Sequence, residues 1–155
     1  MARETIQGVE VKRLQAHADD RGHLTEILRR DDPIFEGFGQ CYFSVSYPGV
    51  IRGWHYHKKQ TDYFACLSGM IKVPLYDMRE DSPTFGAINE YFMGDDNRTL
   101  LKIPVGVAHG FKNIGVTPCL LVNFPTEPYD PSEPDEFRIR YDSTDIPYAW
   151  DMTLT

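Results

Sequence analysis

No run of this sequence approaches the ~18 consecutive apolar residues of a membrane-spanning helix, so no membrane partner is expected. Nothing sustains a helical apolar period over about three turns, which argues against a bundle. Positive charge is in deficit. Sixteen Lys and Arg stand against 23 Asp and Glu, a net charge of −7, which excludes general nucleic-acid binding because that needs a broad positive surface. Cysteine is scarce too: Cys41, Cys66 and Cys119 are far apart, odd in number and without C-x-x-C spacing. They read as reduced, buried thiols, not a disulfide framework or a zinc site. The opening Met-Ala-Arg-Glu-Thr-Ile lacks the apolar centre of a signal peptide, and a cytoplasmic location is expected.

Turn residues and short β-prone runs are plentiful. Twelve glycines and 11 prolines, with Asp and Asn, separate VEVKRL (9–14), CYFSVSY (41–47), DYFACLSG (62–69), MIKVPLYD (70–77), INEYFM (88–93), LLKIP (100–104) and PCLLVNF (118–124). Branched and aromatic runs punctuated in this way predict an all-β sandwich or small barrel. The length of 155 residues suits one domain spanning 1–155. From Pro125 the chain becomes rich in Pro, Asp and Glu but keeps Tyr129, Phe137, Tyr141, Tyr148 and Trp150, so an irregular tail packed on the barrel is expected. Within it the acidic run SEPDE (132–136) reads as a solvated face.

Chemistry concentrates in GVIRGWHYHKKQTDYFACLSG (49–69). His55 and His57 are one residue apart, so on a strand both rings share a face. Arg52 precedes them, Lys58 and Lys59 follow, and Asp62 comes next. A metal site, an acid/base pair and a solvent-facing strand all fit. Downstream, PVGVAHGFKN supplies Pro104, Gly106, His109 and Asn113. The two spacings resemble the two motifs of the cupin family. That implies a double-stranded β-helix, or jelly-roll barrel, with the histidines in its mouth. It also implies a ligand set for metal-binding members, His55, His57, Asp62 and His109, suited to a divalent transition metal.

A closer resemblance covers nearly the whole chain. DDRGHLTE (19–26) is similar to a D-x-R-G-x-F-x-E stretch, and QCYFSVSYPGVIRGWHYH (40–57) to a Q-x-N-x-S-x-S…G-V-x-R-G-x-H-Y-Q block. DMREDSPTFG (77–86) and IPVGVAHGF (103–111) continue the match. Together they resemble the dTDP-4-dehydrorhamnose 3,5-epimerase family, cupins that use no metal. The resemblance implies a small-molecule substrate, a nucleoside-diphosphate 4-keto-6-deoxy sugar. Its ketone acidifies the protons on the neighbouring carbons, and a base of near-neutral pKa removes them. His55 takes the base's place, and His109 could stabilise the enolate oxygen. Arg52 and Arg21 match nucleotide-contacting arginines, and Gln40 and Glu26 match further ligand contacts. The segment with Arg21 would reach a neighbouring subunit, which implies a homodimer.

Three positions depart from that family's pattern. Asn123 stands where its catalytic tyrosine belongs, and Asp62 replaces its active-site lysine; both are read as lining the substrate site. Asp142 lies one position from the aspartate that orients the histidine, a slot filled here by Ser143, and is a candidate for that role. RGWHYHKK also resembles the R-G-x-H-A-H-K block of the nucleotide-sugar 3,4-ketoisomerases, which implies a second reaction on the same substrate, in which His55 and His57 pass a proton between carbons 3 and 4. A metal-dependent cupin enzyme and a non-catalytic sugar-nucleotide binding protein fit these residues as well.

Overall fold

The computed structural model describes residues 4–151, which form twelve strands and no helix. In chain order they are β1 (Glu10–Arg13), β2 (Ala16–Asp19), β3 (Gly22–Thr25), β4 (Tyr42–Ser46), β5 (Ile51–Tyr56) and β6 (Asp62–Ser68). There follow β7 (Met70–Asp77), β8 (Ile88–Gly94), β9 (Thr99–Ile103), β10 (Val107–Asn113), β11 (Cys119–Asn123) and β12 (Phe137–Arg138). One sheet has the order β1-β9-β6-β11-β4 and a second β12-β5-β10-β7-β8, while β2 and β3 form a separate hairpin. Apart from β7 and β8, neighbours in each sheet come from distant parts of the chain, as in the expected jelly roll.

Alternation along the strands fills the space between the sheets. Phe64, Cys66, Leu101, Ile103 and Leu121 from the first meet Ile71, Val73, Leu75 and Phe111 from the second. The outer faces are covered as well. Ile34, with Ile27 and Leu28, packs over Tyr63, Ala65 and Leu100, while the tail residues Ile146 and Trp150 pack over Trp54 and Ala108. Burial on both faces is why these strands read as continuous apolar runs.

The expected tail packing holds at its far end. Trp150 lies 4.9 Å from Trp54, Phe137 stacks on Tyr56 at 5.2 Å, and Tyr148 donates to Glu90 at 2.7 Å. Lys112 and Lys72 donate to the carbonyls of Trp150 and Asp151 at 2.9 and 2.7 Å. Tyr129 and Tyr141 correct the expectation: their side chains are 58% and 51% exposed and neither belongs to the packed aromatic clusters. Cys41 corrects another. Cys66 and Cys119 are buried in strand interiors, but Cys41 precedes β4 and is exposed.

One irregularity positions the site. Along β5 and β10, His109 pairs with His55, but Phe111 pairs with Arg52, so one extra residue sits in β5. A bulge of this kind reverses which face a side chain takes. Arg52 and His55, an odd number of residues apart, therefore both line one cavity. Gly110 lies inside the shift, and a Cβ there would stand 2.5 Å from the Arg52 carbonyl oxygen and 2.6 Å from Gly53 Cα. Both of these atoms are backbone of β5, so neither can yield as the end of a flexible side chain would. Gly110→Ala is expected to destabilise the protein by ~1–3 kcal/mol, read as a lowered denaturant midpoint. An unchanged midpoint would mean the two strands separate at no cost.

Candidate active site

β5, β6 and β10, with the residue just past the end of β5, bring four groups together. Ligand atoms of His55, His57, Asp62 and His109 all lie within 4.8 Å of one another. The ring of His55 is centred 4.1 Å from His109 and 5.3 Å from His57. Asp62, fully buried, accepts from Nε2 of both His57 and His109 at 3.1 Å and from the Gln60 amide at 2.8 Å. The other nitrogen of each ring also meets an acceptor, the Asp135 carbonyl for His57 and the Val107 carbonyl, at 2.9 Å, for His109. Each ring therefore meets an oxygen acceptor at both of its nitrogens.

The charges follow from this geometry. Burial alone would raise the Asp62 carboxyl, but the hydrogen bonds and charges of His109 and His57 hold it well below the ordinary carboxylate range. Burial likewise opposes a proton on His57, yet the bond to Asp62 outweighs it and raises that imidazole. His55 goes the other way. Burial, and then the charge of His109 beside it, push it well below the ordinary imidazole value. Among the described residues nothing hydrogen-bonds the His55 ring, and no fully buried polar side-chain atom lacks a partner, so its nitrogens open to the cavity. The result is a neutral base beside a donor pair.

Two cavities meet at this ring. The outer, of about 550 Å³, is lined by Gln40, Tyr42, His55, His57, Lys59 and tail residues including Tyr129, Glu133 and Glu136. The inner, of about 340 Å³, reaches past Arg52, Phe64, Phe111 and Asn123. Tyr42, His55 and Glu136 line both. Arg52 donates to Ser46 Oγ at 2.8 Å and to the Val45 carbonyl at 3.3 Å, and among the described residues nothing else accepts from its guanidinium. Asn123 pairs directly with Tyr42 across β11 and β4 and donates to its phenol oxygen at 2.9 Å. Burial, with the Asp62 carboxylate nearby, pushes the Tyr42 phenol up to about 12.

Of the residues singled out from the sequence, His55, His57, His109, Asp62, Gln40, Arg52 and Asn123 converge here. Asp142 does not. It is exposed, held by Arg140 at 2.9 Å, and lines a separate surface depression, so it orients no histidine. Arg21 is exposed on the β2–β3 hairpin beside Asp19, and Glu26 pairs with Arg29 at 3.2 Å; within this chain both lie outside the two cavities. The 77–86 block lines neither cavity: Asp77 binds Arg79 Nε, Ser82 and Thr84 at 2.7–2.8 Å and closes a turn.

The acidic run is more than the solvated face its composition suggests. Asp135 accepts the amides of Lys58, Lys59 and Gln60 at 2.8–2.9 Å, while its carbonyl takes the His57 ring. That clamp fixes the turn between β5 and β6 and orients His57. A carboxylate satisfying three backbone donors looks in sequence like any solvated acid. Tyr42 is a second residue that the sequence does not single out, since it is one of several aromatics in a strand. Its spacing from Ser44 and Ser46 is the signal that marks the inward face.

Comparison with known proteins agrees with this geometry. The model of the family described as dTDP-4-dehydrorhamnose 3,5-epimerase matches residues 3–155. The spore coat polysaccharide biosynthesis protein SpsL of Bacillus subtilis is 49% identical over 145 residues, covering 94% of this chain and 96% of that protein. Among solved structures, a dTDP sugar isomerase from Desulfovibrio desulfuricans G20 superposes with a TM-score of 0.88 at 36% identity, covering 94% of this chain and 92% of that one. The RmlC epimerase of Legionella pneumophila in complex with dTDP-4-keto-L-rhamnose has a TM-score of 0.84 at 26% identity, over 97% of this chain and 82% of that one. With a match over residues 3–155 and histidines, arginine and glutamine in one cleft, the chain belongs to the dTDP-4-dehydrorhamnose 3,5-epimerase family.

Proposed function

We propose that this protein epimerises a nucleoside-diphosphate 4-keto-6-deoxy sugar through proton abstraction by His55. The observation that carries the reading is the one imidazole of the cluster left without a hydrogen bond among the described residues, kept neutral and open to a cleft that Arg52 also lines. His55 removes the proton beside the ketone, and the electron pair passes into an enolate. The donor pair His57 and His109 lies within about one ring width to stabilise that charge. Arg52 suits the diphosphate, and the bound dTDP-sugar of the Legionella relative supports a nucleotide-linked ligand. Incubation with dTDP-4-keto-6-deoxyglucose, read by proton NMR couplings, tests this. Inversion at carbon 3 or 5 is expected, and a keto group moved to carbon 3 would replace the reading with the ketoisomerase one.

Replacing Arg52 with alanine is expected to weaken dTDP binding ~10–100-fold, the loss of a charged hydrogen bond, with a smaller effect on kcat. Unchanged affinity would remove Arg52 from the nucleotide site.

The reaction is taken to need no metal, because the Asp62-facing nitrogens of His57 and His109 are already engaged. The same four groups are close enough to share a divalent ion. Elemental analysis decides: stoichiometric metal that is lost in His57→Ala, with activity lost on chelation, would replace acid/base chemistry by metal chemistry.

The working unit is proposed to be a homodimer. Phe43, Val45 and Tyr47 on and beside the edge strand β4, with Leu67 on β6, are 67%, 47%, 71% and 40% exposed on the outward face of one sheet. A second copy on that face would also explain a hairpin carrying Arg21 away from its own cavity. A cytoplasmic location belongs to the same proposal, supported by three free thiols. No helix among the described residues is long and apolar enough to cross a membrane.

A further inference from the structure

Inversion at a carbon needs a base on one face of the sugar and a proton donor on the other. His55 lies on β5, in the sheet β12-β5-β10-β7-β8, so the donor must come from the opposing sheet or from the tail that follows it, where the phenol of Tyr129 lines only one of the two cavities and is 58% exposed. The side chains of that sheet and its flanks that line the cavities with His55 include Gln40, Tyr42, Ser44, Phe64, Leu121 and Asn123. Phe64 and Leu121 carry no polar proton, and the amides of Gln40 and Asn123 are too weakly acidic. Ser44 is a weaker acid than a phenol and lines only the inner cavity. Tyr42 alone of these six faces both cavities, as His55 does.

Resting on the epimerase reading, we propose that Tyr42 is the catalytic acid that delivers the second proton, opposite His55. Its strand partner Asn123 donates to the phenol oxygen at 2.9 Å, which leaves the phenol hydrogen free of that bond and turns it toward other acceptors. A neutral phenol is what the step requires, and burial keeps it neutral. Asn123 also accepts from the Tyr63 amide at 3.0 Å, so its side chain is fixed in the orientation that presents Nδ2 to Tyr42. The arrangement also accounts for the position where the family's pattern has tyrosine and this chain has Asn123: the phenol is supplied from the neighbouring strand.

The proton balance closes. The substrate C–H bond breaks with its proton going to His55 and its electron pair to the enolate. The phenol O–H then breaks as a new C–H bond forms on the other face. The phenolate and imidazolium that remain are reset by proton exchange through water in the cleft.

Tyr42→Phe keeps the ring and removes only the acid. In deuterated water with dTDP-4-keto-6-deoxyglucose, this variant is expected to lose at least ~100-fold in inverted product. His55 still removes the proton and returns a deuteron to the same face, so recovered substrate gains deuterium without inversion. The exchanged pair Tyr42→Asn with Asn123→Tyr, which places the phenol on the partner strand, is expected to regain inversion. Inversion in Tyr42→Phe at the wild-type rate overturns the assignment alone. Loss of both exchange and inversion in Tyr42→Phe also overturns it, since Tyr42 would then act before proton abstraction. Wild-type protein that exchanges nothing overturns the epimerase reading, and this assignment with it.

Discussion

His55→Ala is expected to lower kcat by ~10²–10⁴-fold while dTDP binding stays within a factor of about two, because general acid–base catalysis is worth that much and the group proposed to hold the diphosphate is Arg52. The pH profile adds a second readout. A base works only when unprotonated, and the folded environment moves His55 well below its ordinary value. The acid limb of kcat/KM should therefore fall below the ordinary imidazole value of ~6.5. A limb at or above that value would show that burial and His109 do not dominate at this ring. A turnover only slightly reduced in His55→Ala would remove it as the base.

Asp62→Asn is the second large effect. The side chain is fully buried and accepts from two histidines at 3.1 Å. Both rings meet the same oxygen, Oδ2, while Oδ1 accepts from the Gln60 amide, so an asparagine must turn its N–H groups toward either the two imidazoles or Gln60, and in either orientation the negative charge is gone. Breaking such a buried pair costs ~3–5 kcal/mol. The sign with pH follows from the two shifts. Asp62 is lowered, so its contribution is present above the ordinary carboxylate value and lost as pH falls. His57 is raised, so its contribution is present below the ordinary imidazole value and lost as pH rises through the raised one. The stability gap between wild type and variant should be widest between roughly pH 4 and 6.5 and narrow above it. Denaturant melts across that range measure it, and a gap independent of pH would mean that Asp62 contributes shape and not charge.

Much of the architecture is legible in the sequence because it rests on local rules. Branched and aromatic runs between Gly and Pro mark seven of the strands, and an H-x-H pair on a strand must share a face. Motif spacing places His109 and Asp62, and the structure brings both to His57. What stays hidden depends on contacts between residues far apart in the chain. Counting alternate positions puts Arg52 and His55 on opposite faces, and only the bulge opposite Gly110 reverses this. Asp135 is 78 residues from the ring that its carbonyl holds, and nothing around it in SEPDE distinguishes a backbone clamp from a solvated acid. Tyr42 and Asn123 are 81 residues apart, and their pairing exists only once β4 and β11 are adjacent. Asp142 stands near an expected slot in sequence, but the tail turns outward there and Arg140 takes the carboxylate.

The central claim is that His55 enolises a 4-keto sugar. The measurement that tests it most directly is proton NMR of dTDP-4-keto-6-deoxyglucose in deuterated water with wild-type protein and with His55→Ala. The account predicts deuterium at carbon 3, carbon 5 or both with wild type and none above background with the variant. No label with wild type, or equal labelling by the variant, would contradict it.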